Sequence, residues 1–498
     1  MELGTALDQA VPVDEVEAPV RDVATFSVRG AWRILIGSWS GRVGLLMFAV
    51  MLAISAYVLL TYPSDFGSSV WSSPKAWADN PKAVAPKWTA LWDDNAVVNQ
   101  SVTLTEPANS EERGPATVYD YDWSIDQSGS AFPTFLSTTI AGVTFSGRAP
   151  VIVVTLLRPD GGEIRLANLA VPAPRPGETA PYRRYFETPE RMLLTQSDTA
   201  QQSIQEWFAQ EYPDSGSTSV DTGDLNQALF AVPTQSGFEA LTGAYTLRVQ
   251  MLAADADDSV QSIENVYGGN VYGWMGTDSL GRNLWEGLLY GFPVALLIAI
   301  VTSILSTFLG ASLGIISGYS GGATDSVIQR AADIVSNVPL LPLLIFLVFI
   351  IGPNLSVILL VLVAFSWPGL TILVRSMVLS LRTGNIVDAA KAMGASRRRI
   401  MTRHVFPQVA PFIVAQMIFA APAAILAEAS LSFLGLGDPS IPTWGQMLES
   451  GFRTGALYVG YWWWVIPPGV LIIVTALAFT LLALAMEQVV DPRLRDQR

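Results

Sequence analysis

The side chains that could do chemistry in this chain are few in kind. Cysteine is absent and histidine occurs once, as His404. No disulfide or thiolate metal site can form, and the redox compartment cannot be read from cysteine usage. A histidine-rich metal site, or a Ser-His or Cys-His centre outside the cell, is excluded by counting. A phosphate-binding loop of the form G-x-x-x-x-G-K-[ST] needs a lysine after glycine. The chain has lysines only at 75, 82, 87 and 391, and none follows glycine. ATP hydrolysis by that route is therefore not a property of this chain. What remains are carboxylates and arginines in three settings. Glu428 sits inside an apolar run, where an acid is a functional candidate by default; it either lines a path or binds a helix end structurally. Asp278 and Arg282 are four residues apart and can pair on one helical face, as a structural brace in preference to a substrate contact. The third setting is the basic segment Arg382–Pro407.

That segment reads L-R-T-G-N-I-V-D-A-A-K-A-M-G-A-S-R-R-R-I-M-T-R-H-V-F-P up to Pro407. Its residue types predict two short helices joined at a glycine. Asn385 is placed to cap the first, with Asp388 three residues on. Ile386, Val387, Ala389, Ala390 and Met393 give it an apolar, small-residue surface. Gly394 suits the left-handed conformation that stops a helix. Ser396 is placed to cap the second helix, and Pro407 to mark its end. Such an element fits a groove on another protein, and its flanking arginines suit that partner or anionic lipid. An ordinary cytoplasmic loop rich in cations has the same composition.

The elements that would position these residues are membrane spans. Half of the 498 residues are hydrophobic and 14% are charged, against about 25% charged in a soluble domain. A helix needs about 20 apolar residues to cross a bilayer. The runs at 43–62, 287–316, 328–351, 355–379, 410–434 and 462–487 meet that need. Pro293, Pro339, Pro342, Pro368, Pro422 and Pro467-Pro468 lie within them and predict kinks, either static or suited to a bundle that opens and closes. Arg330 and Asp333 near the third run read as an interfacial pair, and Tyr461–Trp464 as an interfacial aromatic belt. The first 20 residues carry Asp8, Asp14, Glu15 and Glu17 and no cation, and read as a disordered tail. Phe26, Trp32, Ile34, Leu35 and Trp39, with arginines between, read as an interfacial helix leading into an uncleaved anchor.

Cations near span ends set orientation. Arg21, Arg29, Arg33 and Arg42 precede the first run. Arg382, Lys391, Arg397, Arg398, Arg399 and Arg403 separate the fourth from the fifth, and Arg493, Arg495 and Arg498 follow the sixth. Six spans put all of these in the cytoplasm, with both termini. Residues 63–285 then lie outside; they hold 27 acidic and 13 basic residues, the whole of the chain's net charge of −14. A stretch this long is not a structureless loop. Strand-like runs occur at Ser101–Thr105, Val151–Leu157, Ile164–Leu169 and Ala244–Leu252. Pro159-Asp160-Gly161-Gly162 makes a turn between two of them, and Gln201–Gln210 reads as a helix. The expected fold is mostly α: a six-helix transmembrane bundle with a large external β-rich, sandwich-like insertion between its first and second spans.

The order of residues in the basic segment narrows this further. Asp388-Ala389-Ala390, then Gly394, then Arg403-His404-Val405-Phe406-Pro407 resembles the coupling loop of ABC importer permeases, with Asp where Glu is usual. Gly276-Thr277-Asp278-Ser279-Leu280-Gly281-Arg282 is similar to the G-T-D-x-x-G-R run of dipeptide/oligopeptide/nickel permeases. Glu428-Ala429-Ser430-Leu431-Ser432-Phe433-Leu434-Gly435-Leu436-Gly437, Pro442-Thr443-Trp444-Gly445 and Asp491-Pro492-Arg493 resemble the same family, C-type subunit. The resemblance covers 20–62 and 270–495 and leaves out the insertion. It implies a permease that carries peptides by alternating access beside a second homologous permease. Two separate cytoplasmic ATPases would hold ATP and Mg, an external substrate-binding protein would deliver cargo, and this chain would bind no cofactor of its own. Asp388, Ala389, Ala390 and Gly394 would form the docking contact, supported by Arg399 and Arg403. Glu428, Asp278 and Arg282 would be candidates for the path or external gate. The implied plan is a cytoplasmic tail over 1–42, a first helix over 43–62, an external domain over 63–270, a permease core over 271–490 with coupling loop 382–407, and a cytoplasmic end over 491–498, in the plasma membrane of a prokaryote. The alternatives are an importer permease for nickel or another small solute, and a membrane-anchored external receptor or enzyme.

Overall fold

The computed structural model describes residues 28–490, except 94, 115, 128, 213–224 and 235–236. The acidic leader with Arg21 and Phe26, and the ending Asp491-Pro492-Arg493 with Arg495 and Arg498, lie outside the described residues. Helix α1 (Val28–Gly37) meets α2 (Trp39–Thr61) at Ser38. The Ser38 hydroxyl accepts the Gly41 N–H at 3.1 Å, and Arg42 Nε donates to the Ile36 carbonyl at 2.6 Å. Both orphan ends of the break are thereby satisfied. α1 packs on the last helix of the chain as well as on α2. α2 runs 23 residues, about 35 Å at 1.5 Å per residue, enough for a bilayer core.

Among the described residues twelve strands follow: β1 (Gln100–Leu104), β2 (Asn109–Arg113), β3 (Ala116–Gln127), β4 (Phe135–Phe145), β5 (Val151–Leu157), β6 (Glu163–Ala170), β7 (Tyr182–Arg184), β8 (Glu190–Leu193), β9 (Ala231–Thr234), β10 (Gly237–Ala240), β11 (Gly243–Ala253) and β12 (Ser259–Gly268). Two helices, α3 (Asp198–Glu211) and α4 (Leu225–Phe230), lie between β8 and β9. One antiparallel five-stranded sheet has the order β1-β12-β4-β7, with β8 also on β4; a second has the order β2-β3-β11-β5-β6, and β9 and β10 pair as a separate two-stranded sheet. The two larger sheets make the sandwich. Their inner faces close one core containing Ile125, Ile140, Phe145, Ile152, Leu156 and Leu247. Alternation produces this: in β5 every second residue, Ile152, Val154 and Leu156, is buried. The insertion is a β-sandwich. The four strand-like runs became β1, β5, β6 and β11, the Pro159–Gly162 turn joins β5 to β6, and α3 contains the helix expected over Gln201–Gln210. The long strands β3, β4 and β12 had no such signal. Some of their polar residues find partners across strands: Arg248 with Asp122 at 2.8 Å, and Thr138 with Asn265 at 2.7 Å.

The rest is helical: α5 (Leu284–Ser320), α6 (Gly322–Asn337), α7 (Leu340–Ile351), α8 (Leu355–Arg382), α9 (Asn385–Ala392), α10 (Arg397–Ile400), α11 (Phe406–Phe433), α12 (Trp444–Arg453), α13 (Ala456–Val459) and α14 (Trp462–Val490). Among the described residues, five helices are long and apolar enough to cross a membrane, six if one bent pair counts as a span. That pair is α6 and α7, which meet at 77°. The run 328–351, expected as a span kinked at its prolines, is thus divided between two helices at Val338-Pro339. Val338 and Pro339 are extended between the two helices, and the 12 residues of α7 reach about 18 Å against a core of about 30 Å. α5 and α8 lie closest together. A Cβ on Gly310, Gly314 or Gly318 would stand 2.8 Å from the carbonyl oxygens of Trp367, Thr371 and Arg375 respectively. Glycines one turn apart let two backbones touch where apolar burial cannot drive association. Phe66, Trp71 and Trp77 are buried among Leu284, Leu288 and Met447, so residues 66–77 pack with the helices and not with the sandwich.

Candidate functional site

At the arginine-rich end, α8 stops at Arg382 and the chain turns into α9. Gly384 is the N-cap of α9 and makes no side-chain cap; Asn385 is already its first helical residue. The capping role expected of Asn385 is thus corrected, because Gly384, with no Cβ, took the extended cap position. α9 ends in a complete Schellman motif: Ala395 N donates to Ala390 O at 3.0 Å and Gly394 N to Lys391 O at 2.9 Å, with Gly394 at φ 76°. Nothing would lie within 4 Å of a Cβ on Gly394, so the backbone conformation, not crowding, requires glycine there.

Eight residues of helix divide into two faces. Val387 and Ala390 are 1% exposed and pack inward against Val374, Val378, Ile400 and Val405. The expectation that Ala390 contacts a partner is corrected: its side chain fills the protein's own core. Ile386, Ala389 and Met393 point outward, and Met393 is 79% exposed. Spacings of three and four put them on one stripe. Asp388 is exposed and pairs with Lys391 at 3.0 Å. Ser396 accepts the Arg399 N–H at 3.4 Å and so caps α10. Pro407 does not end that helix. Arg397–Phe433 continues as one 37-residue helix through a π-helical turn at Met401–Val405, a local break in the i→i−4 pattern that lies immediately before the proline. Ser396, Arg398, Arg399, Thr402 and Arg403 line an open cleft of about 430 Å³.

At the opposite end, the Gly276–Arg282 segment is a tight turn before α5, which corrects the helical face expected for its pair. Asp278 is fully buried. Its Oδ1 accepts the N–H groups of Leu280 and Arg282 at 2.9 Å, and its Oδ2 accepts Arg282 Nε at 2.5 Å. The Arg282 guanidinium lies 4.3 Å from the Trp71 ring centre. The pair therefore ties α5 to the segment after α2. Glu428 is 5% exposed and accepts the Ser432 hydroxyl at 2.6 Å. It lines a void of about 10 Å³ beside Gly291, Trp444 and Gly445, room for one water at most. That places it in the seam of α5, α11 and α12.

The larger cavity, about 490 Å³, lies between α5, α8 and α11. Thr302, Ser306, Thr307, Ser366 and Gln416 supply its polar lining, and the buried Thr302 hydroxyl has no hydrogen-bond partner among the described residues. Sequence reasoning named none of these residues. The available signal was the polar pairs Thr302-Ser303 and Ser306-Thr307, one turn apart within a long apolar run. A bidentate pair was also missed: Arg375 Nε and Nη2 meet Asp325 at 2.5 and 2.6 Å, joining α8 to α6. Arg330 and Asp333, expected to pair, are both exposed and form no ion pair among the described residues. Arg375 is on a packed neighbouring helix, whereas Arg330 and Asp333 share an exposed one.

Comparison with known proteins accords with this architecture. Residues 310–496 match the family described as binding-protein-dependent transport system inner membrane component. The dipeptide transport system permease protein DppC of Bacillus subtilis is 34% identical over 223 residues, 45% of this chain and 69% of its own length. A putative peptide transport system permease protein of Brucella suis is 37% identical over 44% of this chain and 73% of its own. The oligopeptide permease OppC of Bacillus subtilis is 32% identical over 45% and 72%. A solved structure of the MetNI methionine ABC transporter, inward facing, covers 42% of this chain and 95% of its own at 18% identity; its TM-score of 0.34 carries no argument. The chain belongs to the family of binding-protein-dependent transport system inner membrane components and is a transmembrane permease subunit.

Proposed function

We propose that this permease subunit carries peptides inward by alternating access, driven by ATPases on other chains. One observation carries the reading: α9 presents the outward stripe Ile386, Ala389 and Met393 on a Schellman-stopped helix joined stiffly to α8 and α11, in a chain with no Gly-Lys phosphate loop. A partner that grips α9 moves two long apolar helices at once. In this reading the arginine-rich end is cytoplasmic, both termini lie there, and the sandwich is external. Asp388 and Ala389 contact the ATPase, Gly394 holds the stop, and Arg399 and Arg403 pair with its acidic groups. ATP and Mg sit on two ATPase subunits; a second permease and an external binding protein complete a prokaryotic plasma-membrane importer with six spans, counting the bent pair α6–α7 as one.

The cavity suits a peptide better than a metal. Its polar lining is hydroxyl and amide with no His, Cys, Asp or Glu, and soft or borderline divalent metals select N and S donors. A peptide backbone needs neutral hydrogen-bond partners, and hydroxyl and amide side chains of the lining are of that kind. The relatives are peptide permeases by name, which supports the same choice over nickel or an anchored receptor. Purification in mild detergent, with identification of copurifying chains, tests the reading. An ATPase and a second permease are expected; a chain that purifies without either ends it. Deleting the sandwich should leave the ATPase bound.

A further inference from the structure

The sandwich joins the helices through two segments, residues 63–99 and 269–283, which carry an aromatic surface that transport does not explain. Lys87–Leu91 is a single tight helical turn. Trp88 donates Nε1 to the Trp274 carbonyl at 2.8 Å. Its ring stands edge-on to Trp92 at 5.9 Å and meets Trp462 at 5.6 Å. Trp274 faces Trp285 at 6.4 Å. Trp462 is the first residue of α14 and Trp285 the second of α5. Five indole rings from both connecting segments and two apolar helices thus form one band where those helices begin.

The band is not covered. Leu91 is 77% exposed, Trp92 75% and Trp274 70%. It also contains a cation, Lys87, at the start of its helical turn. The three lysines of residues 63–285 are Lys75, Lys82 and Lys87, all exposed and without an ion pair among the described residues; the sandwich strands have arginine alone. Trp at the headgroup level, with lysine reaching toward phosphate, is the chemistry of a bilayer interface. The core of a protein interface is instead depleted in lysine. The band is continuous with the first turns of two apolar helices, so its height matches the edge of the hydrocarbon.

We propose that Lys87–Trp92, with Trp274, is a membrane foot. It lies in the headgroup–acyl boundary of the leaflet at that end and seats the sandwich on the bilayer. The foot is tied to the sandwich through the connecting segments: Lys87 N donates to Gly273 O at 2.8 Å, Val97 N, further along the first segment, to Asn270 Oδ1 at 2.7 Å, and Asp79, earlier in it, pairs with Arg191 of β8 at 2.7 Å. Seating the foot therefore fixes the height and tilt of the sandwich.

The chain has no cysteine, so Leu91→Cys supplies a unique thiol for a nitroxide, with Ser110→Cys on the exposed strand β2 as an aqueous reference. Both go into the full chain, purified with whatever subunits accompany it, in liposomes of phosphatidylethanolamine and phosphatidylglycerol. Collision rates with oxygen and with a water-soluble nickel chelate are then read by electron paramagnetic resonance. Position 91 should favour oxygen several-fold over the chelate, and position 110 the reverse. Equal behaviour at the two positions overturns the proposal. Shielding of position 91 from both reagents, in liposomes and detergent alike, overturns it in favour of a covering protein. Trp274→Cys repeats the measurement should Leu91→Cys not incorporate.

Discussion

The two ends of the helical bundle are built differently. At the arginine-rich end, α9 is held by two inward side chains, Val387 and Ala390, and by the backbone bonds of one Schellman motif. Its outer stripe and the arginines beside it are bare. At the sandwich end, a buried Asp278 gathers two N–H groups and a guanidinium. Thr277 donates to Pro81 O at 2.7 Å, and Asn80 to Gly281 O at 2.9 Å. Trp71 and Trp77 are built into the helical core. One end leaves a short helix with a bare outer face, and the other holds its connecting segments by several ties at once. A part that must receive force needs an exposed face and rigid connection to the helices it moves, whereas a part that carries a domain needs many simultaneous ties.

Substitutions at both ends can break that contrast. The largest effect is expected for Gly394→Pro. Proline fixes φ near −65° and cannot adopt 76°, so the stop is lost; transport and ATPase copurification should both disappear while the sandwich stays folded by limited proteolysis. Unchanged transport would remove α9 as the part that receives force. Next is Asp278→Ala, which leaves a guanidinium and two N–H groups without their acceptor. Removing one member of such a buried pair costs about 3–5 kcal/mol, readable as a lower melting temperature in detergent. A loss under about 1 kcal/mol, the range of exposed pairs, would show that the tie is not there. Smaller still is Ala390→Leu, which overfills the inward face at about 1–3 kcal/mol, set against Met393→Ala, which should leave melting unchanged and weaken ATPase binding. Equal effects would erase the distinction between the faces of α9.

The smallest effect lies within the sandwich. Burial raises the Asp160 carboxyl, but hydrogen bonds from Arg158 and the Gly162 N–H, together with the Arg158 charge, outweigh it and hold it below the usual carboxylate value of 3.8. A group depressed in the folded state contributes stability that is present above its unfolded pKa and lost as pH falls through the folded one. Acid unfolding of the sandwich below about pH 4 should therefore flatten slightly in Asp160→Asn. No difference between the two curves would remove the Arg158–Asp160 tie from the account.

Periodicity and residue type gave the apolar runs, the helix–glycine–helix of 382–407 and the shorter strands, because each of these signals is local. Ser396 capping α10 and Gly394 ending α9 follow from the chemistry of single residues. The inward placement of Ala390 does not: an alanine on a short helix is neutral until Val374 and Ile400, from other helices, are known to lie beside it. Pro339 announced a break but not a bend of 77°, since the angle depends on what α6 and α7 pack against. The 490 Å³ cavity was invisible because its walls come from α5, α8 and α11, far apart in the chain.

The sequence by itself determined that this is a membrane protein with a long acidic insertion, that it lacks a phosphate loop, and that a basic segment carries a helical stop. Those follow from counts, hydropathy and backbone preference, which need no partner. The tertiary structure alone decided which face of α9 is free, how glycines bring α5 and α8 together, and how Asp278 ties the insertion down. Each depends on atoms distant in sequence meeting within a few ångströms, and packing and hydrogen-bond geometry fix such meetings only when the chain is folded.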